Sequence, residues 1–329
     1  MTSTLGAELL SGDRRALARG ITLVESTHAD DRSAADALLT EVMGRTGAAI
    51  RIGISGAPGA GKSTLIEALG LHVVDLGHRV AVLAVDPSSS RTGGSILGDK
   101  TRMGELARHP AAFVRPSPAG TTLGGVARRT REATLLCEAA GFDVVFVETV
   151  GVGQSETAVA GMVDCFVLLI APAAGDELQG IKRGIVELAD IVVVNKADGA
   201  LAPVASSTAS DYAAALHLVR PRSSQWTPRV VLCSALESRG IDELWAAIED
   251  LRSAISGDEL AHRRRDQALA WMRDELADSL LDRLRADTRT AEAAAALEAD
   301  VVGGRIAPTT AARRLIDVFL GSTHGGAAG

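Results

Sequence analysis

The period of hydrophobic positions changes twice along the chain. Over residues 14–25, Leu17, Ile21 and Val24 fall on one face at helical spacing, and Ala37, Leu38 and Val42 repeat this over 34–43. From residue 50 the pattern becomes short, uninterrupted apolar runs separated by amphipathic stretches. The runs are 50–55, 80–85, 144–147, 165–170, 191–194 and 230–233. Continuous rather than alternating hydrophobicity marks strands covered on both faces, so the runs predict a mainly parallel sheet with helical crossovers, an α/β fold. Beyond Ile241 helical spacing returns. Leu269, Met272, Leu276 and Leu280 form a stripe, Gly303 and Gly304 stop a helix, and Pro308 starts the last one. The expected organisation is therefore a helical extension over 1–46, an α/β domain over 47–257 and a helical arm over 258–329. A stripe with little chain left to cover it is a candidate subunit contact, the alternative being that it packs back on its own domain.

Composition narrows the function classes. With 329 residues the chain has ample length for a buried core. The 34 Lys and Arg are outnumbered by 41 Asp and Glu, a net charge of −7. That argues against non-specific nucleic-acid binding, which needs a positive surface. No run approaches the length of a membrane helix, and the first 20 residues lack the basic start and apolar core of a signal peptide, so a cytoplasmic location is expected. Cys137, Cys165 and Cys233 stand singly, as buried small hydrophobes in a reducing compartment rather than zinc ligands. Only Lys62, Lys100, Lys182 and Lys196 are lysines. Where Arg serves nearly every surface cation, these four are candidates for places that need a compact point charge.

Chemistry enters with Gly56-Ala57-Pro58-Gly59-Ala60-Gly61-Lys62-Ser63-Thr64, which satisfies G-x-x-x-x-G-K-[ST] directly after an expected strand and before a helix. Glycines turn backbone N–H groups toward phosphate oxygens, the helix presents its positive end, Lys62 reaches the β and γ phosphates, and Ser63 offers a hydroxyl to magnesium. The base is read elsewhere. Asn195-Lys196-Ala197-Asp198 ends a later strand, and the Asp198 carboxylate accepts from the guanine N1–H and 2-amino groups, donors that adenine lacks. Lys196 lies along the base plane or braces the phosphate loop. Ser234, Ala235 and Leu236 end the last strand, where a backbone N–H meets the guanine O6. Carboxylates for magnesium come from neighbouring strand ends, Asp86 and Glu148, with Asp99 on a glycine-rich segment able to join in one nucleotide state. Glycines 151 and 153 allow a backbone swing toward the γ-phosphate. Gln154 either orients the attacking water or is a surface glutamine.

The phosphate loop, DPSS, GDKTR, ETVGVGQSE, GDELQGIKRG and NKAD, in this order, resemble the G-protein chaperones of methylmalonyl-CoA mutase and its B12-dependent relatives. These form a branch of P-loop GTPases that includes signal-recognition and nickel-insertion proteins. The resemblance implies a magnesium-dependent GTPase that cycles between GTP and GDP, docks on an adenosylcobalamin-dependent mutase, gates cofactor loading and protects the enzyme from inactivation. It further implies a homodimer joined by C-terminal helices and a metal shell of Ser63, Asp86, Asp99 and Glu148. Lys182 lies in a loop where no general nucleotide motif requires a lysine, and it reads as a third switch that reports nucleotide state. Two alternatives remain: a nickel-inserting GTPase, which shares the architecture but is disfavoured by dispersed histidines, and a nucleotide-dependent kinase or transport ATPase, disfavoured by Asp198 and by the absence of a membrane span.

Overall fold

The computed structural model describes residues 4–26, 28–85, 103–116, 123–149, 155–172 and 183–324. Helices α1 (Thr4–Leu10), α2 (Arg14–Glu25) and α3 (Ala29–Val42) precede β1 (Ile50–Gly56). There follow α4 (Lys62–Asp75), β2 (Val80–Val85), α5 (Gly104–Arg108), β3 (Ala112–Arg115), α6 (Leu123–Ala139) and β4 (Val144–Thr149). Then come α7 (Ser155–Ala160), β5 (Cys165–Ile170), α8 (Arg183–Val186), β6 (Ile191–Val194), α9 (Ala202–Leu216) and β7 (Arg229–Leu232). The chain ends in α10 (Ile241–Ala254), α11 (Gly257–Ala286), α12 (Thr288–Val302) and α13 (Pro308–His324). None of the described helices is long and apolar enough to cross a membrane.

All seven strands run parallel in the order β3-β2-β4-β1-β5-β6-β7. The five inner strands are buried along their whole length, which is why their sequences read as unbroken apolar runs. The edges differ. β7 is exposed at its two ends, Arg229 and Leu232, and half-buried between them, and β3, AFVR, is four residues set close to Pro110 and Pro116. β3 is absent from the expected runs because an edge strand this short needs little apolar sequence. α1 falls within the helical extension expected over 1–46; it packs in the layer with α2 and α3 on α6. In that layer Asp13 caps α2, its carboxylate accepting from the Ala16 N–H at 2.7 Å.

β1 is central, with β4 on one side and β5 on the other, and the chain leaves it in opposite directions. The crevice beyond its C-terminal end is thus the switch point where α/β sheets bind ligands. Gly53 lets α7 come close: a Cβ there would lie 2.8 Å from Val159 Cγ1. At the opposite end of the sheet the start of α11 is tied down by polar contacts. Arg264 Nε and Nη2 donate to the Asp164 carboxylate at 2.9 and 2.5 Å, and Nη2 also reaches the Ala49 carbonyl at 2.7 Å. Asp164 accepts in addition from the Arg51 N–H at 2.9 Å, and Arg263 Nη1 donates to the Asp164 carbonyl at 2.7 Å.

By contact density the chain divides into Met1–Gln267 and Ala268–Gly329. In the second unit Asp287 caps α12 through the Thr290 N–H at 2.8 Å, and α12 packs on α13 beside a groove of about 410 Å³ lined by Leu297, Val301 and Leu315. Leu269, Met272, Leu276 and Leu280, the stripe read from the sequence, are all about half exposed.

Truncating Asp164 leaves the Arg264 guanidinium without its carboxylate in a largely enclosed place. Asp164→Ala is expected to lower unfolding stability by about 3 kcal/mol, read from urea denaturation. A loss below the size of an ordinary surface substitution would show that this pair does not hold α11 to the sheet.

Candidate nucleotide site

The loop between β1 and α4 places a helix start under a glycine-rich turn. Gly61 is the N-cap of α4, with φ +97° and no side-chain cap, so the first N–H groups of the helix are left to an external acceptor. Gly59 also has positive φ, +80°. A Cβ on Gly61 would lie 2.5 Å from Asn195 Nδ2, so glycine is required by contact as well as by conformation.

Asn195 is the residue through which three segments meet. It is buried, its Nδ2 donates to the Ala60 carbonyl at 2.9 Å, and its Oδ1 accepts from the Ala235 N–H at 3.0 Å. Its own N–H donates to the Ile170 carbonyl of β5 at 2.9 Å. One carboxamide therefore joins the phosphate loop to the end of β6 and to the loop after β7. Here its side chain serves as a brace between loops, a role that the sequence pattern does not reveal.

Beyond Asn195 the chain turns sharply. Lys196 has φ +57°, unusual for a residue with a side chain, and Gly199 has φ +47°. Between them Asp198 is extended, and its carboxylate accepts from Ser234 Oγ. The Ala197 N–H donates to the Cys233 carbonyl at 2.9 Å. Thus Asp198, Ser234 and Ala235 form one contiguous group, as their positions at adjacent strand ends require, and Leu236 beside them is exposed.

At the phosphate end, Lys62 Nζ donates to the carbonyls of Gly56 and Ala57 at 2.7 and 3.3 Å, which folds the ammonium over its own loop. Burial pushes its pKa below the ordinary lysine value, and the charges of Glu148 and Glu156 pull it back up. Ser63 Oγ donates to Glu148 Oε1 at 3.1 Å. Glu148 is brought there by the register of β4, in which it lies beside Ile54 of β1. A hydroxyl next to a buried carboxylate is a donor set of hard oxygens, the kind magnesium takes. Glu156, almost wholly buried on α7 at the end of ETVGVGQSE, also belongs to this group, and no sequence motif assigns it a role. The signal was present, eight residues after Glu148, yet only the packing of α7 on β1 brings it near the lysine. Asp86, Asp99, Gln154 and Lys182 lie outside the described residues.

The site is thus a phosphate cradle and a strand-end carboxylate spanning the switch point of a parallel sheet. Residues 17–289 match the family described as "Methylmalonyl Co-A mutase-associated GTPase MeaB". The chain belongs to this family. Its relatives carry matching names. A Mycobacterium bovis protein named "Probable GTPase" is 53% identical over 315 residues, 95% of this chain and 94% of its own. GTPase ArgK of Escherichia coli is 51% identical over 280 residues, 85% of each chain. The mouse methylmalonic aciduria type A homolog, a mitochondrial protein, is 47% identical over 322 residues, 94% of this chain and 78% of its own. Among solved structures, that of a LAO/AO transport system kinase is 40% identical with a TM-score of 0.74, covering 96% of both chains. Like its family, the protein is a P-loop GTPase that binds GTP and GDP and hydrolyses GTP.

Asn195→Ala deletes a donor and an acceptor from two buried partners, each left unpaired at a cost of about 1–3 kcal/mol. The expected result is a lower melting temperature together with weakened binding of both GTP and GDP. A variant with wild-type nucleotide affinity would refute the bracing role.

Proposed function

We propose that this mutase-associated GTPase docks on an adenosylcobalamin-dependent mutase, most directly methylmalonyl-CoA mutase, in the cytoplasm. There it gates cofactor loading and protects the enzyme from inactivation. The observation that carries this reading is the extent of the family match, which runs through the nucleotide site and into α11. The names of the methylmalonic aciduria type A homologs point the same way. Three buried free thiols fit a reducing compartment.

In the mechanism, the backbone of residues 56–61 and the start of α4 cradle the phosphates, and Lys62 moves from its loop carbonyls onto the β and γ oxygens. Asp198 reads guanine, Ala235 offers its loop to O6, and Lys196 lies along the base. Ser63 and Glu148, with Asp86 and Asp99, would hold magnesium, which neutralises charge developing across the β and γ phosphates. Ser63 and Glu148 already lie 3.1 Å apart, which favours that assignment. Gln154 orients the attacking water, and Lys182 reports the nucleotide state to the mutase. The arm over 258–329 joins two copies. Its support is the half-exposed stripe of Leu269, Met272, Leu276 and Leu280, at spacings that keep one helical face.

Two experiments test the reading. Single-turnover hydrolysis of GTP and ATP is measured with and without purified methylmalonyl-CoA mutase, for wild type, Lys182→Ala and the adjacent-cation control Arg183→Ala. Stimulation by the mutase is expected with GTP alone and is expected to fall markedly in Lys182→Ala only, because a partner accelerates turnover through groups whose contacts differ between free and bound states. Absence of stimulation in the wild type would overturn the docking role. Separately, Met272→Glu combined with Leu276→Glu is expected to shift the sedimentation of the full chain from dimer to monomer while leaving GTP affinity intact.

A further inference from the structure

The two loops that frame Asp198 are joined by a residue outside every motif considered above. After β7 the chain makes a tight reversal in which Ser234 and Arg239 pair in antiparallel fashion, each N–H donating to the other's carbonyl at 3.0 and 3.1 Å. The reversal is closed internally by the Glu237 N–H donating to Ser234 Oγ at 3.2 Å, and Ser238 takes φ +53°. From its far side the Arg239 side chain reaches across to the preceding strand's loop. Its Nη2 donates to the Ala197 carbonyl at 3.0 Å and lies 2.8 Å from Glu237 Oε2.

Ala197 is thereby held at both ends of its backbone, its N–H by the Cys233 carbonyl and its C=O by Arg239. It is the residue between Lys196, with positive φ, and Asp198. Positive φ at a residue with a Cβ persists only where its surroundings over-determine it. The carbonyl of Ala197 belongs to the peptide that leads into Asp198, so fixing that carbonyl sets the direction in which the Asp198 side chain leaves the backbone. Ser234 Oγ then aims the carboxylate itself. A single nitrogen, Nη2, serves Glu237 and Ala197 together, and the rigid guanidinium plane fixes the direction of both contacts more closely than an ammonium on a flexible stem would.

We propose that Arg239 is a positioning residue for base recognition, holding the Lys196–Asp198 turn so that the Asp198 carboxylate meets guanine in register. The inference rests on the reading of Asp198 as the residue that reads the base. It deepens that reading by assigning part of the specificity to a side chain on the surface that touches no nucleotide.

The probes are GTP, GDP and inosine triphosphate, which lacks the 2-amino group, measured on the full chain as wild type, Arg239→Ala, Arg239→Lys, Glu237→Ala and Asp198→Asn. For Arg239→Ala the dissociation constants of GTP and GDP are expected to rise together by about three- to tenfold. The preference for GTP over inosine triphosphate falls toward unity, KM rises, kcat at saturation holds, and the melting temperature is unchanged. Arg239→Lys restores part of the preference, and Glu237→Ala shows the same loss in smaller degree. A wild-type preference in Arg239→Ala, alongside a collapsed one in Asp198→Asn, overturns the role of Arg239 alone. A wild-type preference in Asp198→Asn overturns the base-reading assignment and this inference with it. Should Arg239→Ala fail to fold, the same comparison is made with Arg239→Lys and Glu237→Ala, and a wild-type preference in both overturns the proposal.

Discussion

The nucleotide site depends on one buried carboxamide. Asn195 has a donor at one end and an acceptor at the other, and the fold uses both, on Ala60 of the phosphate loop and on Ala235 after β7. No other uncharged side chain of that size offers both functions in one plane, and a carboxylate in its place would present two acceptors to the Ala60 carbonyl. Because a side chain at position 61 would meet the same amide, glycine there lets the loop before α4 pack against Asn195.

Around this rigid frame the charged groups are placed where burial makes them responsive. Burial lowers the pKa of Lys62, and the charges of Glu148 and Glu156, two carboxylates delivered by different elements, pull it back up. Glu148 rides on β4 and is set by strand register. Glu156 rides on α7, whose close approach depends on Gly53 having no side chain. The same short helix leads through a turn to Asp164, which clamps Arg264 and the start of α11. The phosphate end of the site and the anchoring of the C-terminal helix thus share one stretch of chain.

The second unit carries a different physical argument. Its apolar stripe is half exposed along α11, while α12 and α13 pack on each other beside an apolar groove. A helix that shows such a face to water is stabilised when that face is covered. That consideration concerns the burial of apolar surface, whereas the glycine-rich loop before α4 and the turn at Asp198 both lie in the first unit.

The parallel sheet, six of its seven strands, the phosphate loop and the Asp198 turn were legible in the sequence, because burial on both faces writes continuous apolar runs and because phosphate binding demands glycine, lysine and hydroxyl residues at fixed spacing. β3 was not legible, since an edge strand of four residues needs little apolar sequence. Nor were the brace at Asn195, the approach of Glu156 to Lys62, the pairing of Asp164 with Arg264 or the reach of Arg239 to Ala197. Each of these joins residues far apart in the chain or across a turn, and each exists only because sheet order and helix packing bring their backbones together. Local pattern records what a segment buries and how it turns. Which distant polar groups then meet is decided by tertiary structure, through distances that no local pattern contains.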